Sequence, residues 1–195
     1  MITRWWWVRH GPTHEKTFVG WRDVPADLTD TEQIARLDTY LPADAVLVSS
    51  DLSRAIATAD AIGNGRRRLA HAVALREFDF GQWDGLGFDE VARRDPQLSR
   101  EFWENPGTVA PPGGESWDMV AARVAPLVDD MTSRFAGRDI IAVAHIGTIM
   151  TQIQMASGGS AVRAIGSKID NLSVTRLEFL HDPGEWRILG INHTP

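Results

Sequence analysis

The sequence predicts an α/β protein: a three-layer α/β/α sandwich with a mainly parallel central sheet and an antiparallel C-terminal hairpin. Three observations carry this expectation. The apolar runs at residues 5–8, 45–49 and 140–144 are short and continuous, as strands buried on both faces are. Helical patterns separate them, the order that lays parallel strands side by side with helices on both faces. Two alternating segments, 173–180 and 186–191, close the chain around Asp182-Pro183-Gly184 and read as a hairpin. With 195 residues the chain is long enough for one sizeable core, and it is read as a single domain spanning 1–195.

The elements follow in order. Trp5-Trp6-Trp7-Val8 is a buried strand that ends in the sharp turn Arg9-His10-Gly11-Pro12-Thr13. After a polar loop from 14 to 27, Thr29 or Asp30 caps a helix to about Tyr40. A strand at 45–49 runs into Ser50-Asp51-Leu52-Ser53-Arg54-Ala55, which opens a helix to about Ile62. Arg66-Arg67-Arg68 reads as a solvated turn and 72–75 as a short strand. Residues 76–85 form a dense loop of carboxylates and aromatics. Short helices are expected at 89–94 and 97–103, then a Pro- and Gly-rich loop at 106–114. Ser116 caps a long helix to about Phe135, with Val120, Val124, Leu127, Val128 and Met131 on one face. The strand at 140–144 ends in His145, and Gly147 begins a helix to about Ala156.

Composition narrows the function classes. Net charge is −6, so nucleic acid and anionic membrane are not expected partners. The absence of cysteine removes disulfide and thiolate chemistry and suits the cytoplasm. No signal peptide is visible, and no apolar stretch approaches ~20 residues, the length of a membrane span. Eight tryptophans stand against one tyrosine, a bias with no functional reading.

His10 is the first candidate. A neutral imidazole can be a nucleophile, a general base or a metal ligand, and a histidine in a turn can equally be a half-exposed bystander. No H-E-x-x-H spacing accompanies it. Arg9 beside it is a fixed cation with a forked set of donors, which fits an oxyanion better than a metal. Parallel strands place their carboxyl ends on one edge, where ligands of open α/β sheets bind. His10, Arg54 and His145 can therefore converge although far apart in sequence.

At these residues the chain resembles the histidine phosphatase superfamily, also called phosphoglycerate mutase-like. Arg9-His10-Gly11 with Thr13 looks like its signature, and Ser50-Asp51-Leu52-Ser53-Arg54-Ala55 with Thr58-Ala59 looks like its second motif. Leu75-Arg76-Glu77 with Phe80-Gly81-Gln82-Trp83-Asp84-Gly85 resembles its acid-bearing loop. Gly113-Gly114-Glu115-Ser116 and the strand ending in His145 complete a likeness that runs from about Trp5 to His193. Departures fall at Pro12, where glutamate is usual, and at Ile146-Gly147 and Met150, where Gly-Gly and an arginine are usual. They bear on the pocket's outer wall and on substrate.

The resemblance implies a metal-independent phosphatase with no cofactor and a small phosphorylated substrate. His10 would carry the phosphoryl group. Arg9 and Arg54 would hold its equatorial oxygens, His145 would add a donor as a cation, and Thr13 a hydroxyl. Glu77 would protonate the leaving oxygen and then deprotonate water, with Asp79 and Asp84 as rivals for that role. Glu115 and Ser116 are read as shaping a loop and capping a helix, and Trp21 and Trp83 as candidates for the pocket mouth. The acid loop, residues 89–103 and Pro111-Pro112-Gly113-Gly114-Glu115-Ser116 look most like the α-ribazole phosphatase branch of cobalamin biosynthesis. The other readings are a phosphohistidine protein phosphatase in signalling, a phosphoglycerate mutase and a non-catalytic phosphate-binding module. The mutases of the family carry extra chain over the site, and the short stretch from 87 to 115 favours hydrolysis. A homodimer is left open.

Overall fold

The computed structural model describes residues 1–195. Its strands are β1 (Ile2–Arg9), β2 (Val46–Ser49), β3 (Arg67–Arg68), β4 (Asp139–Ala144), β5 (Val174–Leu180) and β6 (Glu185–His193). They form one sheet in the order β3-β2-β4-β1-β5-β6. The first four are mutually parallel, and β5 runs antiparallel to both β1 and β6. This is the α/β architecture expected, with the antiparallel hairpin at one side.

The helices are α1 (Thr31–Tyr40), α2 (Ser53–Ala61), α3 (Phe88–Arg94), α4 (Pro96–Glu104), α5 (Trp117–Arg134), α6 (Ile146–Ser157) and α7 (Ala161–Ile165). The two caps expected from sequence act through side chains. Asp30 accepts from the Gln33 N–H at 2.9 Å, and Ser116 accepts from the Met119 N–H at 3.3 Å. Each satisfies one of the first-turn donors that a helix leaves open. None of these helices is long and apolar enough to cross a membrane.

Strand alternation splits the core between the two faces of the sheet. Ile140, Ala142 and Ala144 join Trp5, Trp7, Val120, Val124 and Ile149 on one face. Ile141 and Val143 join Val8, Leu37, Ala55 and Ala59 on the other. A period of two gives β4 a buried side on each face, which is why its sequence is continuously apolar. Trp5 and Trp7 lie stacked, with ring centroids 5.1 Å apart. The Trp5 indole donates to Thr132 Oγ1 at 3.0 Å and that of Trp6 to Asp139 at 2.9 Å. Much of the tryptophan excess is thus core filling, with the polar edge satisfied at Trp5 and Trp6 and the Trp7 indole N–H left without a partner.

Two local expectations are corrected. The arginine run is not a solvated turn: Arg67 and Arg68 pair with β2, and the Arg66 side chain is buried. Arg66 donates to the carbonyls of Asp38, Leu41, Pro42 and Ile62 and to the Asp38 carboxylate, which closes the end of α1 against that of α2. Residues 73–75 form a single 3₁₀ turn, not a strand. A four-residue apolar run holds too little periodicity to separate the two. Helix α7 and strand β3 had no clear sequence signal.

Candidate active site

In-register pairing assembles the centre of the site. Val8 lies opposite Val143 and Arg9 opposite Ala144, so the next residues, His10 and His145, emerge side by side. The His10 N–H continues the ladder to the Ala144 carbonyl at 3.1 Å. The two imidazoles face each other with centroids 5.0 Å apart. From β2 the ladder continues as Ser50 N–H to Val143 O at 3.0 Å, and three residues on α2 begins, with Arg54 in its first turn.

Each group is held from behind. His10 Nδ1 is 2.7 Å from the Gly11 carbonyl, which can only accept. Nδ1 therefore carries the proton, and Nε2 keeps a free lone pair. The Asn171 amide donates to the His10 carbonyl at 2.8 Å, and Thr58 Oγ1 accepts from the Gly11 N–H at 2.9 Å. The same hydroxyl donates to the Arg54 carbonyl at 2.7 Å. The turn is thereby pinned to α2. A Cβ at position 11 would lie 2.6 Å from Leu28 Cδ2 and 3.2 Å from the Asp27 carbonyl oxygen, so glycine lets the loop pass this closely without displacing Leu28.

Arg54 is fully buried. Its Nη atoms donate to the Gly20 carbonyl at 2.7 Å and the Arg22 carbonyl at 3.1 Å. Its Nε donates to His145 Nδ1 at 3.2 Å. Because a guanidinium can only donate, His145 Nδ1 must be the unprotonated nitrogen and Nε2 carries the hydrogen. The expectation of a cationic His145 is corrected here. Burial, His10 and the neighbouring arginines push its pKa well down, so it is a neutral donor. His145 Nε2 and Arg9 Nε are both buried without a protein partner. A buried donor left so costs ~1–3 kcal/mol, which an oxyanion would recover.

Burial first, and then the cation of Arg54, lower the His10 pKa to about 3. The imidazole is neutral through the whole physiological range. Glu77 is 3% exposed, and burial raises its pKa. Its carboxyl accepts from the Phe78 N–H at 2.9 Å and from the Gly147 N–H at 3.1 and 3.2 Å. Its backbone is fixed as firmly: the Glu77 carbonyl accepts from Trp21 Nε1 at 2.8 Å and from Arg123 at 3.1 Å. Arg123 also clasps Glu115 with two donors, at 2.8 and 2.9 Å. The rivals of Glu77 are engaged in loop structure. Asp79 accepts from Gly81 N–H, and Asp84 from the N–H groups of Gly20 and Arg22.

These groups stand at the inner end of a cavity of about 320 Å³. Arg9, His10, Thr13 and Glu77 line it. Arg54 and His145 stand behind that wall. Trp21 and Trp83 do not line it: Trp83 is buried and donates to Asp95 at 2.8 Å, and Trp21 holds Glu77 from outside. The outer walls are Phe18, Phe80, Phe88, Phe102, Trp103 and Met150 among others. Ile146 and Met150, two of the departures noted above, are wall residues. Glu115 and Ser116 shape the acid loop and cap α5, as read from sequence. Sequence reading missed Asn171 and Arg123, whose bonds to the carbonyls of His10 and Glu77 reach across 161 and 46 residues and leave no local pattern. No group of three His, Cys, Asp or Glu side chains is gathered that could hold a metal ion.

Gly147 is the one glycine of the cavity wall, and it is tightly enclosed. A Cβ there would sit 2.4 Å from Glu77 Oε1 and 2.4 Å from Phe78 Cδ2. Gly147→Ala is expected to displace the Glu77 carboxyl and lower kcat on alkyl phosphates by ~10–100-fold, the scale of a small misplacement of a reacting group. Steady-state kinetics beside a far-UV spectrum check this. An unchanged kcat in a folded variant would remove Glu77 from the machinery.

Comparison with known proteins adds the family. The model of the histidine phosphatase superfamily (branch 1) matches residues 5–194. A curated protein of Mycobacterium tuberculosis called bifunctional is 35% identical over 168 residues, 84% of this chain and 43% of that protein's length. The chain thus spans less than half of the first curated relatives it matches. A 2,3-bisphosphoglycerate-dependent phosphoglycerate mutase of Methylorubrum extorquens is 29% identical, covering 82% of this chain and 81% of the mutase. Among solved structures, a mycobacterial glucosyl-3-phosphoglycerate phosphatase superposes with a TM-score of 0.87 at 26% identity, over 99% of this chain and all of that one.

Proposed function

We infer, for a chain that belongs to the histidine phosphatase superfamily (branch 1), that it is a phosphomonoesterase acting through a phosphohistidine on His10. The observation that carries this reading is the tautomer of His10. With Nδ1–H committed to the Gly11 carbonyl, the Nε2 lone pair is free, and close by, Arg9 in the wall and His145 behind it keep buried donors without partners.

In the first step the Nε2–P bond forms and the ester P–O bond breaks. The Glu77 carboxylic acid passes its proton to the departing alkoxide. In the second step a water oxygen attacks phosphorus, Glu77 carboxylate takes the water proton, and the P–Nε2 bond breaks. His10 returns neutral. Arg9, Arg54, the neutral Nε2–H of His145 and the Thr13 hydroxyl stabilise the charge spread over the equatorial oxygens.

The positive charge comes from arginine, so the proposed enzyme needs neither metal nor cofactor. Hydrolysis is preferred to mutase chemistry because a mutase must keep its phosphoenzyme from water, and a bisphosphorylated acid would ask for more cations than Arg9 alone supplies to the cavity. The composition favours a cytoplasmic setting. p-Nitrophenyl phosphate should be turned over at the same rate with and without EDTA. Activity lost to EDTA and restored by a divalent ion would contradict metal independence, and a panel of phosphorylated metabolites including α-ribazole phosphate would rank substrates.

A further inference from the structure

We propose that the substrate is a phosphate monoester of a small, uncharged, aromatic or similarly apolar alcohol, and not a phosphorylated acid or sugar. This rests on the phosphatase reading above and concerns what the same cavity accepts beyond the phosphoryl group.

The charge of the cavity wall decides first. Arg9 is its only cation, and it lies beside His10 at the reacting end. Away from that end the ionisable wall residue is Glu15, an exposed carboxylate already paired with Arg22 at 3.0 Å, so no free cation faces the outer cavity. A carboxylate or a second phosphate on the leaving group would find no unpaired cation there. A charge buried without its partner is strongly disfavoured.

The chemistry of the remaining wall decides second. Twelve of the twenty lining residues are hydrophobic. Phe18 gathers Phe88, Phe80 and Trp103 around it, at centroid distances of 4.4, 4.9 and 6.0 Å. Phe88 is 58% exposed and Trp103 is 38% exposed. Large rings left this open at a cavity mouth mark a surface awaiting an apolar partner. Met150 adds an adaptable thioether wall. The volume is at the small end for ligand sites, which run from ~300 to 1,000 Å³. One or two rings beside a phosphoryl group fit that space. A polyhydroxylated sugar would turn most of its hydroxyls to phenyl edges, because beyond the reacting end the polar side chains of the wall are those of Glu15 and Thr17, which already bond one another.

The test compares kcat/KM for benzyl phosphate and 2-naphthylmethyl phosphate with that for 3-phosphoglycerate and glycerol 3-phosphate. All four leave as alkoxides and draw equally on Glu77. The aromatic esters should lead by at least roughly 100-fold, the scale on which an apolar pocket tells apart groups larger than a methylene. Met150→Arg should raise kcat/KM for 3-phosphoglycerate and lower it for benzyl phosphate. Trp103→Ala, at the exposed rim, should raise KM for the naphthyl ester about tenfold, with little change in its kcat or in either constant for glycerol 3-phosphate. Equal or better turnover of 3-phosphoglycerate, or equal effects of Trp103→Ala on both ester types, would overturn this specificity and leave the phosphatase reading standing. Failure to hydrolyse all four esters and p-nitrophenyl phosphate would overturn both.

Discussion

His10→Ala is expected to lower kcat for p-nitrophenyl phosphate by at least roughly 10⁴-fold, because it removes the Nε2 to which phosphorus is transferred in the proposed mechanism. The loss should not come from unfolding. What holds the loop is its backbone: the His10 N–H and carbonyl bond to Ala144 and Asn171, and the Gly11 N–H to Thr58. An alanine keeps all three. The variant should therefore still bind inorganic phosphate or vanadate through Arg9, Arg54 and His145. A folded His10→Ala protein that retains full activity would place the nucleophile elsewhere.

Glu77→Gln should produce the second largest effect, a loss of ~10²–10⁴-fold on esters whose leaving group is an alkoxide. p-Nitrophenolate leaves without a proton, so the same variant should lose much less on p-nitrophenyl phosphate. Equal losses would point to a binding role. The pH dependence follows from the direction of each shift. Burial raises the Glu77 pKa, so its acid form persists above the usual carboxylate range. The kcat/KM for alkyl esters should fall as pH rises through that raised value, and Glu77→Gln should lack this limb. His10, lowered to about 3, gains a proton only in strong acid, so it sets no limb near neutrality.

The parts of the site that could be read from sequence are those announced by strand ends. Continuous apolar runs stop at Arg9-His10-Gly11 and at His145, and parallel pairing converts those two stops into neighbours. Arg54 was legible because a short turn and a helix follow β2 directly. What escaped was decided by long-range geometry. The charge of His145 depends on which nitrogen meets Arg54 Nε, a contact across 91 residues. Arg66 looked like one of three solvated cations, yet four carbonyls and one carboxylate, none nearer than four residues, enclose it. Arg123 reads as a polar position on an amphipathic helix, but it holds Glu115 and the carbonyls of Ala74, Arg76 and Glu77. The pocket mouth was placed on Trp21 and Trp83, because loop tryptophans look available. Both are spent on fixing the acid loop, and helices α3 and α4 bring Phe88 and Trp103 to the mouth instead.

The central claim is that phosphorus passes through His10. Rapid acid- and base-quench of the enzyme with a phosphate-labelled ester tests it most directly. The expected result is a base-stable, acid-labile phosphoprotein whose label maps to His10 and is absent from His10→Ala. Label mapped to any other residue, or carried equally by His10→Ala, would contradict it.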